Sequence, residues 1–349
     1  MSEVRKIPLE EAVGLPLAHD LTEVNPEEKR KGRAFKRGQI IQAADLEKLR
    51  QLGKDEIYIL DLGPDQIHED EAALLMARAF AGRYIGYEPE PREGKINFYA
   101  QKDGLLLVDT AKLQAVNLLA KPSCITKPRH RPVRQGEMVA ATRIIPLYCE
   151  RQLITKAAAI AAPAGLFSLL PFKPAAAGVI VTGNEVYQGK VKDGFLPVIT
   201  RKLAAYQAAV HRHAVLPDDL AAIRQAIGEF IAAGCDLVVL TGGTSVDPND
   251  LTPLAIREAG GRDFIHGVPL QPGNMFTMAW IGGADGREIP VCAVPAAALF
   301  YPVTSFDVFL PRLLTGQRPS REEIAAMGHG GLCNFCRTCV YPVCSFGRS

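Results

Sequence analysis

Leucines at 46, 49 and 52 fall every third position among charged neighbours and stop at Gly53, which predicts a short helix. The apolar run at 56–60 that follows predicts a strand, and Leu62-Gly63-Pro64 marks a boundary. Residues 69–81 return to helical spacing. From 95 to about 147 the texture is strand-like. Ile96-Asn97-Phe98-Tyr99 and residues 105–108 flank a turn at Lys102-Asp103-Gly104 and predict a hairpin. Alanine-rich 152–162 predicts a helix, and the Pro- and Ala-rich stretch 171–176 reads as a linker.

Beyond Gly178 the period alternates between two and 3.6. Predicted strands at 179–181, 210–215 and 237–240 are separated by helices near 195–207 and 217–233. Apolar strands alternating with amphipathic helices predict a parallel, doubly wound sheet with helices on both faces. The helix from Pro217 carries Asp218 and Asp219 in its first turn, an apolar face of Leu220, Ile223, Ile227 and Phe230, and a glycine stop at Gly234. The predicted fold class is therefore α/β. A three-layer, mostly parallel domain over 173–316 follows an N-terminal module at 1–62 and a β-rich middle region at 63–172, and a cysteine-rich tail closes the chain at 317–349.

Composition sets the boundaries of this picture. The chain of 349 residues is 48% hydrophobic and 22% charged, the balance of an ordered globular protein. A formal charge of +2 gives no bulk attraction to nucleic acid. The N-terminal stretch has acids and no continuous apolar core, and no apolar run reaches bilayer length, so a cytoplasmic protein with no membrane partner is expected.

Two loops follow predicted strands, where open parallel sheets bind ligands. The first is Thr182-Gly183-Asn184-Glu185. The second runs from Thr241 through Gly242, Gly243, Thr244, Ser245, Val246, Asp247, Pro248 and Asn249 to Asp250. Its glycine pair lets backbone amides approach an anion, its hydroxyls suit phosphate oxygens, and Asp247 and Asp250 suit a divalent cation. Taken alone, such a stretch equally describes a tight turn that caps the next helix.

The two loops, with Asp193 and Pro217-Asp218-Asp219 between them, resemble the molybdopterin-binding domain of the MoeA, MogA and gephyrin family. Glu11-Ala12-Val13-Gly14, Leu17-Ala18-His19-Asp20, Phe35-Lys36-Arg37-Gly38 and Leu52-Gly53-Lys54 are similar to the start of MoeA-type proteins. Pro272-Gly273-Asn274-Met275 and Val294-Pro295-Ala296 continue the likeness. The resemblance implies an enzyme of the molybdopterin molybdenumtransferase kind, which inserts molybdate into adenylated molybdopterin with Mg²⁺ and releases AMP. It implies that Thr182, Gly183, Asn184, Asp218, Thr241, Gly242, Gly243, Thr244 and Ser245 bind the cofactor, and that Glu185, Asp247 and Asp250 serve catalysis. A homo-oligomer is implied as well. This chain departs from the family pattern at Asn184, where an Asp is usual, at Phe195, where an Asn is usual, and in Ser245-Val246-Asp247-Pro248-Asn249-Asp250, a form that resembles a divergent branch found beside anaerobic metabolism. A neutral Asn184 weakens cation coordination. The alternatives are a non-catalytic carrier or chaperone of molybdopterin for a molybdo- or tungstoenzyme, and a metal or redox sensor centred on the tail.

In that tail, Cys333, Cys336, Cys339 and Cys344 stand with gaps of two, two and four residues, a spacing that lets four thiols converge. Such a run suits an iron–sulfur cluster, and a four-cysteine Zn²⁺ site suits it nearly as well. His329 is a further ligand candidate or a turn residue. The basic stretches 29–37 and 127–134 read as solvated loops, and Trp280 with the scattered Cys124, Cys149, Cys235 and Cys292 reads as core.

Overall fold

The computed structural model describes residues 4–25, 30–60, 62–244 and 251–347. The chain divides into two compact units, one formed by 1–101, 108–127 and 135–169, the other by 102–107, 128–134 and 170–349.

The first unit opens with Val4–Pro8 paired antiparallel to Glu56–Leu60, so the strand expected after Gly53 is present. Leu9, Leu17, Leu21, Phe35, Ile41 and Leu49 gather into one small core there. The helix Glu69–Phe80 buries Ala72, Ala73, Met76, Ala77 and Phe80 along one face. It packs against a sheet in which Lys95–Ala100 lies between Ile85–Tyr87 and Met138–Ile144. The expected hairpin is therefore a correction. Both edges of Lys95–Ala100 already have partners, and Gly104 and Leu105 pair instead with Val133 and Pro132.

The second unit is built on a six-stranded sheet. Its strands are β1 (Ala175–Thr182), β2 (Ala208–Leu216), β3 (Leu237–Thr241), β4 (Arg262–His266), β5 (Thr277–Gly282) and β6 (Glu288–Val294), in spatial order β2-β1-β3-β6-β5-β4. The first four in that order run parallel, β5 pairs antiparallel with β6, and β4 pairs antiparallel with β5. The stretch 171–176 is not a free linker, since Ala175 and Ala176 already pair with Ala208 and Ala209 in β2. Small alanines fit a strand that is flanked closely on both sides.

Alternation along the strands sorts the core into two layers. Val179, Val181 and Val239 pack with Ile199 and Leu203 of α1 (Phe195–Ala204) and with Phe306, Phe309 and Leu313 of α4 (Ser305–Leu314). Ile180, Val238 and Leu240 pack on the other face with Ile223, Ile227 and Phe230 of α2 (Leu220–Ala232) and Ala255 and Ile256 of α3 (Thr252–Glu258). This is the expected three-layer α/β architecture with a parallel-rich sheet. Helix α2 starts later than Pro217, because Asp219 is extended and its carboxylate caps the Ala222 amide at 2.7 Å. A last short helix, α5 (Arg321–Ala326), leads into a tail of turns. Trp280 and Cys124, Cys149, Cys235 and Cys292 are buried, as expected of core residues. The thiols of Cys124 and Cys149 are pushed up to about 12 and about 11 by burial. Among the described residues no helix is long and apolar enough to cross a membrane.

Candidate functional site

Strands β1 and β3 are adjacent and parallel, with Val181 opposite Thr241. The connections that follow them therefore leave the same sheet edge side by side. The end of β2 at Leu216 joins them, as its carbonyl accepts from the Gly183 amide at 3.2 Å. So does the end of β6, where Val294 pairs with Thr241. Four strand ends thus face one way, the arrangement in which an open α/β sheet presents loops to a ligand.

The two expected loops are stitched together by threonines. Thr182 Oγ1 donates to the Thr241 carbonyl at 3.2 Å and lies 3.5 Å from Thr252 Oγ1. The Thr252 hydroxyl in turn donates to the Gly242 carbonyl at 2.8 Å. Gly242 has φ +87° and Gly243 φ +54°, both in the region that favours glycine. A Cβ on Gly242 would stand 2.1 Å from the Thr182 carbonyl oxygen. The glycine pair is thus required for the close approach of the two loops. The Thr241 hydroxyl is fully buried and has no hydrogen-bond partner among the described residues, so the base of the loop keeps unused polar capacity.

Across the neighbouring strand end, the Asn184 amide donates to Asp218 Oδ2 at 3.1 Å and the Asp218 amide donates to Asn184 Oδ1 at 3.3 Å. This reciprocal pair ties the first loop to the turn that precedes α2. Glu185 lies within the helical turn Asn184–Tyr187, and its Oε2 is 3.2 Å from where a Gly183 Cβ would be. Asp193 caps α1 through the Phe195 amide at 2.7 Å and sits 3.7 Å from His213 Nε2.

The structure thus gathers Thr182, Gly183, Asn184, Glu185, Asp218, Thr241, Gly242, Gly243 and Thr244 at one edge. Ser245, Asp247 and Asp250 lie outside the described residues. Among the described residues no three His, Cys, Asp or Glu side chains gather closely enough to hold a single metal ion. Thr252 was missed by sequence reasoning. A threonine before Pro253 looks like an ordinary helix start, and only its contact with Gly242 gives it a place in the site.

The tail thiols of Cys333 and Cys344 are half-buried, and those of Cys336 and Cys339 are exposed. The basic stretches are engaged with acids: Arg33 with Asp20 at 3.1 Å, Arg37 with Asp70 at 3.1 Å, Arg134 with Asp103 at 2.8 Å and Arg129 with Glu323 at 3.6 Å. The expected loops are a correction: Arg30–Phe35 is a strand paired antiparallel with Leu21–Asn25, and Pro132 and Val133 pair with Leu105 and Gly104, so backbone pairing as well as ion pairs orders these basic stretches.

Comparison with known proteins bears on the same stretch. A family model described as "Probable molybdopterin binding domain" matches residues 178–315, and one for a domain of unknown function matches residues 6–61. A molybdopterin molybdenumtransferase of Synechococcus elongatus is 29% identical over 197 residues, 53% of this chain and 47% of that protein. A molybdenum cofactor biosynthesis bifunctional protein of the same organism is 36% identical over 128 residues, 35% of this chain and 40% of its own length. A CinA-like protein of Deinococcus deserti is 37% identical over 117 residues, 33% of this chain and 27% of its own length. The chain spans less than half the length of each of these curated relatives. Among solved structures, the tungsten cofactor synthesizing protein MoaB of Pyrococcus furiosus is similar at 21% identity and a TM-score of 0.34, covering 42% of this chain and 98% of its own.

Proposed function

From the premise that residues 178–315 form a molybdopterin-binding domain of the MogA and MoeA kind, we propose that the chain inserts molybdate into adenylated molybdopterin at the edge formed by the ends of β1 and β3. The observation that carries this reading is the juxtaposition of the two loops, with Gly242 pressed against Thr182 so closely that no side chain fits. Backbone amides of Gly242, Gly243 and Thr244 hold the phosphate, helped by the hydroxyls of Thr241, Thr244 and Ser245. Such donors, fixed before the substrate arrives, stabilise charge that develops on phosphate oxygens.

Glu185, Asp247 and Asp250 supply the carboxylates for Mg²⁺, which when bound neutralises the phosphoanhydride. Molybdate and adenylated molybdopterin are the substrates, and a molybdo- or tungstoenzyme receives the product. The four tail thiols form a second component, a metal centre.

The test is to give the purified chain adenylated molybdopterin, molybdate and Mg²⁺ and to measure AMP. Release above background, abolished by Asp250→Ala, is the expected result. A second reading, a non-catalytic carrier, is favoured by Asn184, whose neutral side chain accepts from the Asp218 amide while the Asn184 backbone N–H occupies the Asp218 carboxylate, so that position supplies no charged ligand for a cation. Tight cofactor binding with AMP release at background would establish that reading instead.

A further inference from the structure

Cys333, Cys336, Cys339 and Cys344 all line one cavity of about 250 Å³ in the second unit. The rest of its wall is mainly apolar. Tyr301 and Val303 come from the connection after β6, and Phe335, Val340 and Phe346 come from the tail itself. Tyr301 and Phe335 face one another with ring centres 5.7 Å apart.

The cavity is framed by a segment tied at both ends. The Gln271 amide donates to the Gly331 carbonyl and the Cys333 amide donates to the Gln271 carbonyl, each at 2.8 Å. The Tyr341 hydroxyl donates to the Asp307 carbonyl at 3.0 Å, and the Gly347 amide reaches the Gly330 carbonyl at 3.1 Å. Gly331 sits so tightly that a Cβ would be 2.1 Å from the Pro269 carbonyl oxygen. Turns bring the thiols together here without any regular element.

The Phe335 amide donates to Cys333 Sγ at 3.4 Å. Between Cys333 and Gly347 the one charged residue is Arg337, so no acid in that stretch opposes a set of four anionic sulfurs.

Size separates the two metal chemistries. A zinc centre holds each sulfur about 2.3 Å from one ion, which forces the four into mutual contact. Among the described residues no three His, Cys, Asp or Glu side chains form such a single-ion group, whereas all four cysteines line one cavity. A body of several atoms, in which each iron takes one thiolate, suits a cavity of about 250 Å³ with four cysteines in its wall. We propose that the tail holds a four-iron, four-sulfide cluster, with Cys333, Cys336, Cys339 and Cys344 each on one iron. Binding exchanges four S–H bonds for four Fe–S bonds and releases the four protons. This inference rests on the metal reading of the tail and is independent of the pterin reading of the sheet edge.

The experiment uses the full chain, purified without oxygen and then reconstituted with iron and sulfide salts under a thiol reductant. Expected are iron and acid-labile sulfide in equal amounts, a broad visible absorption that bleaches with dithionite, and a paramagnetic signal in the reduced protein. Cys336→Ser and Cys339→Ser should lose the colour while keeping the far-ultraviolet circular dichroism, and Cys235→Ser should keep both. A colourless protein with one zinc per chain and no sulfide would overturn the cluster and leave the metal reading intact. A folded protein that retains neither metal after reconstitution would overturn both.

Discussion

Replacing Gly242 by alanine tests the sheet-edge site directly. Gly242 has φ +87°, and a Cβ there meets the Thr182 carbonyl oxygen at 2.1 Å and Thr182 Oγ1 at 2.7 Å. Ordinary carbon–oxygen contacts lie at about 3.3–3.6 Å, so the loop must retreat by roughly 1 Å or more. The left-handed backbone costs alanine a further 1–2 kcal/mol or so. Gly260 provides the control, because it has φ +93° with nothing within 4 Å of its would-be Cβ. Gly260→Ala therefore carries the backbone cost without the collision. If the retreat breaks one amide hydrogen bond to a charged phosphate, about 1.5–3 kcal/mol is lost, equivalent to roughly 10- to 100-fold in affinity. Titration calorimetry with molybdopterin, alongside thermal melting, reads both quantities. Gly260→Ala should melt lower and bind normally, and Gly242→Ala should melt lower and bind at least tenfold more weakly. Equal affinity in two folded variants would refute the placement of phosphate on this loop.

Other perturbations address the scaffold. Burial, with Asp70 beside it, pushes the Glu69 carboxyl up to about 7. A carboxyl raised in the folded state contributes stability that is full below the unfolded value, near 4.5, and is lost as pH rises through about 7. Glu69→Gln should therefore gain on the native protein by up to about 3 kcal/mol between those limits, and a constant difference in urea unfolding across that window would contradict the assignment. Arg312 is 1% exposed, and its Nη2 donates to Glu323 Oε2 at 2.9 Å while Nε and Nη1 have no partner among the described residues. Glu323→Ala leaves that cation uncompensated and should cost about 3–5 kcal/mol, whereas Arg312→Met combined with Glu323→Ala should recover much of it; a double variant no better than the single one would argue against a stranded charge. Asp219→Ala removes the α2 cap and should lower stability by about 1 kcal/mol in chemical denaturation.

What the sequence determined by itself was the local period and the local chemistry. Alternating spacings marked the strands and helices from 178 onward, because burial on two faces of a sheet demands apolar runs and burial on one face of a helix demands a stripe. The glycine pair, the acids at the start of α2 and the thiol spacing were equally legible, since each is set by residues close in the chain. Pairing was not. Lys95–Ala100 and Gly104–Val108 look like a hairpin, yet each finds partners elsewhere, and the proline- and alanine-rich stretch joins β1. Strand edges are alike in sequence, and which edge wins depends on packing across the whole unit. Tertiary structure alone decided that Thr182 and Gly242 touch, that Thr252 supports them, and that four cysteines line one cavity. These contacts join residues as much as 70 positions apart, and at that distance no local spacing records which parts of the chain will meet.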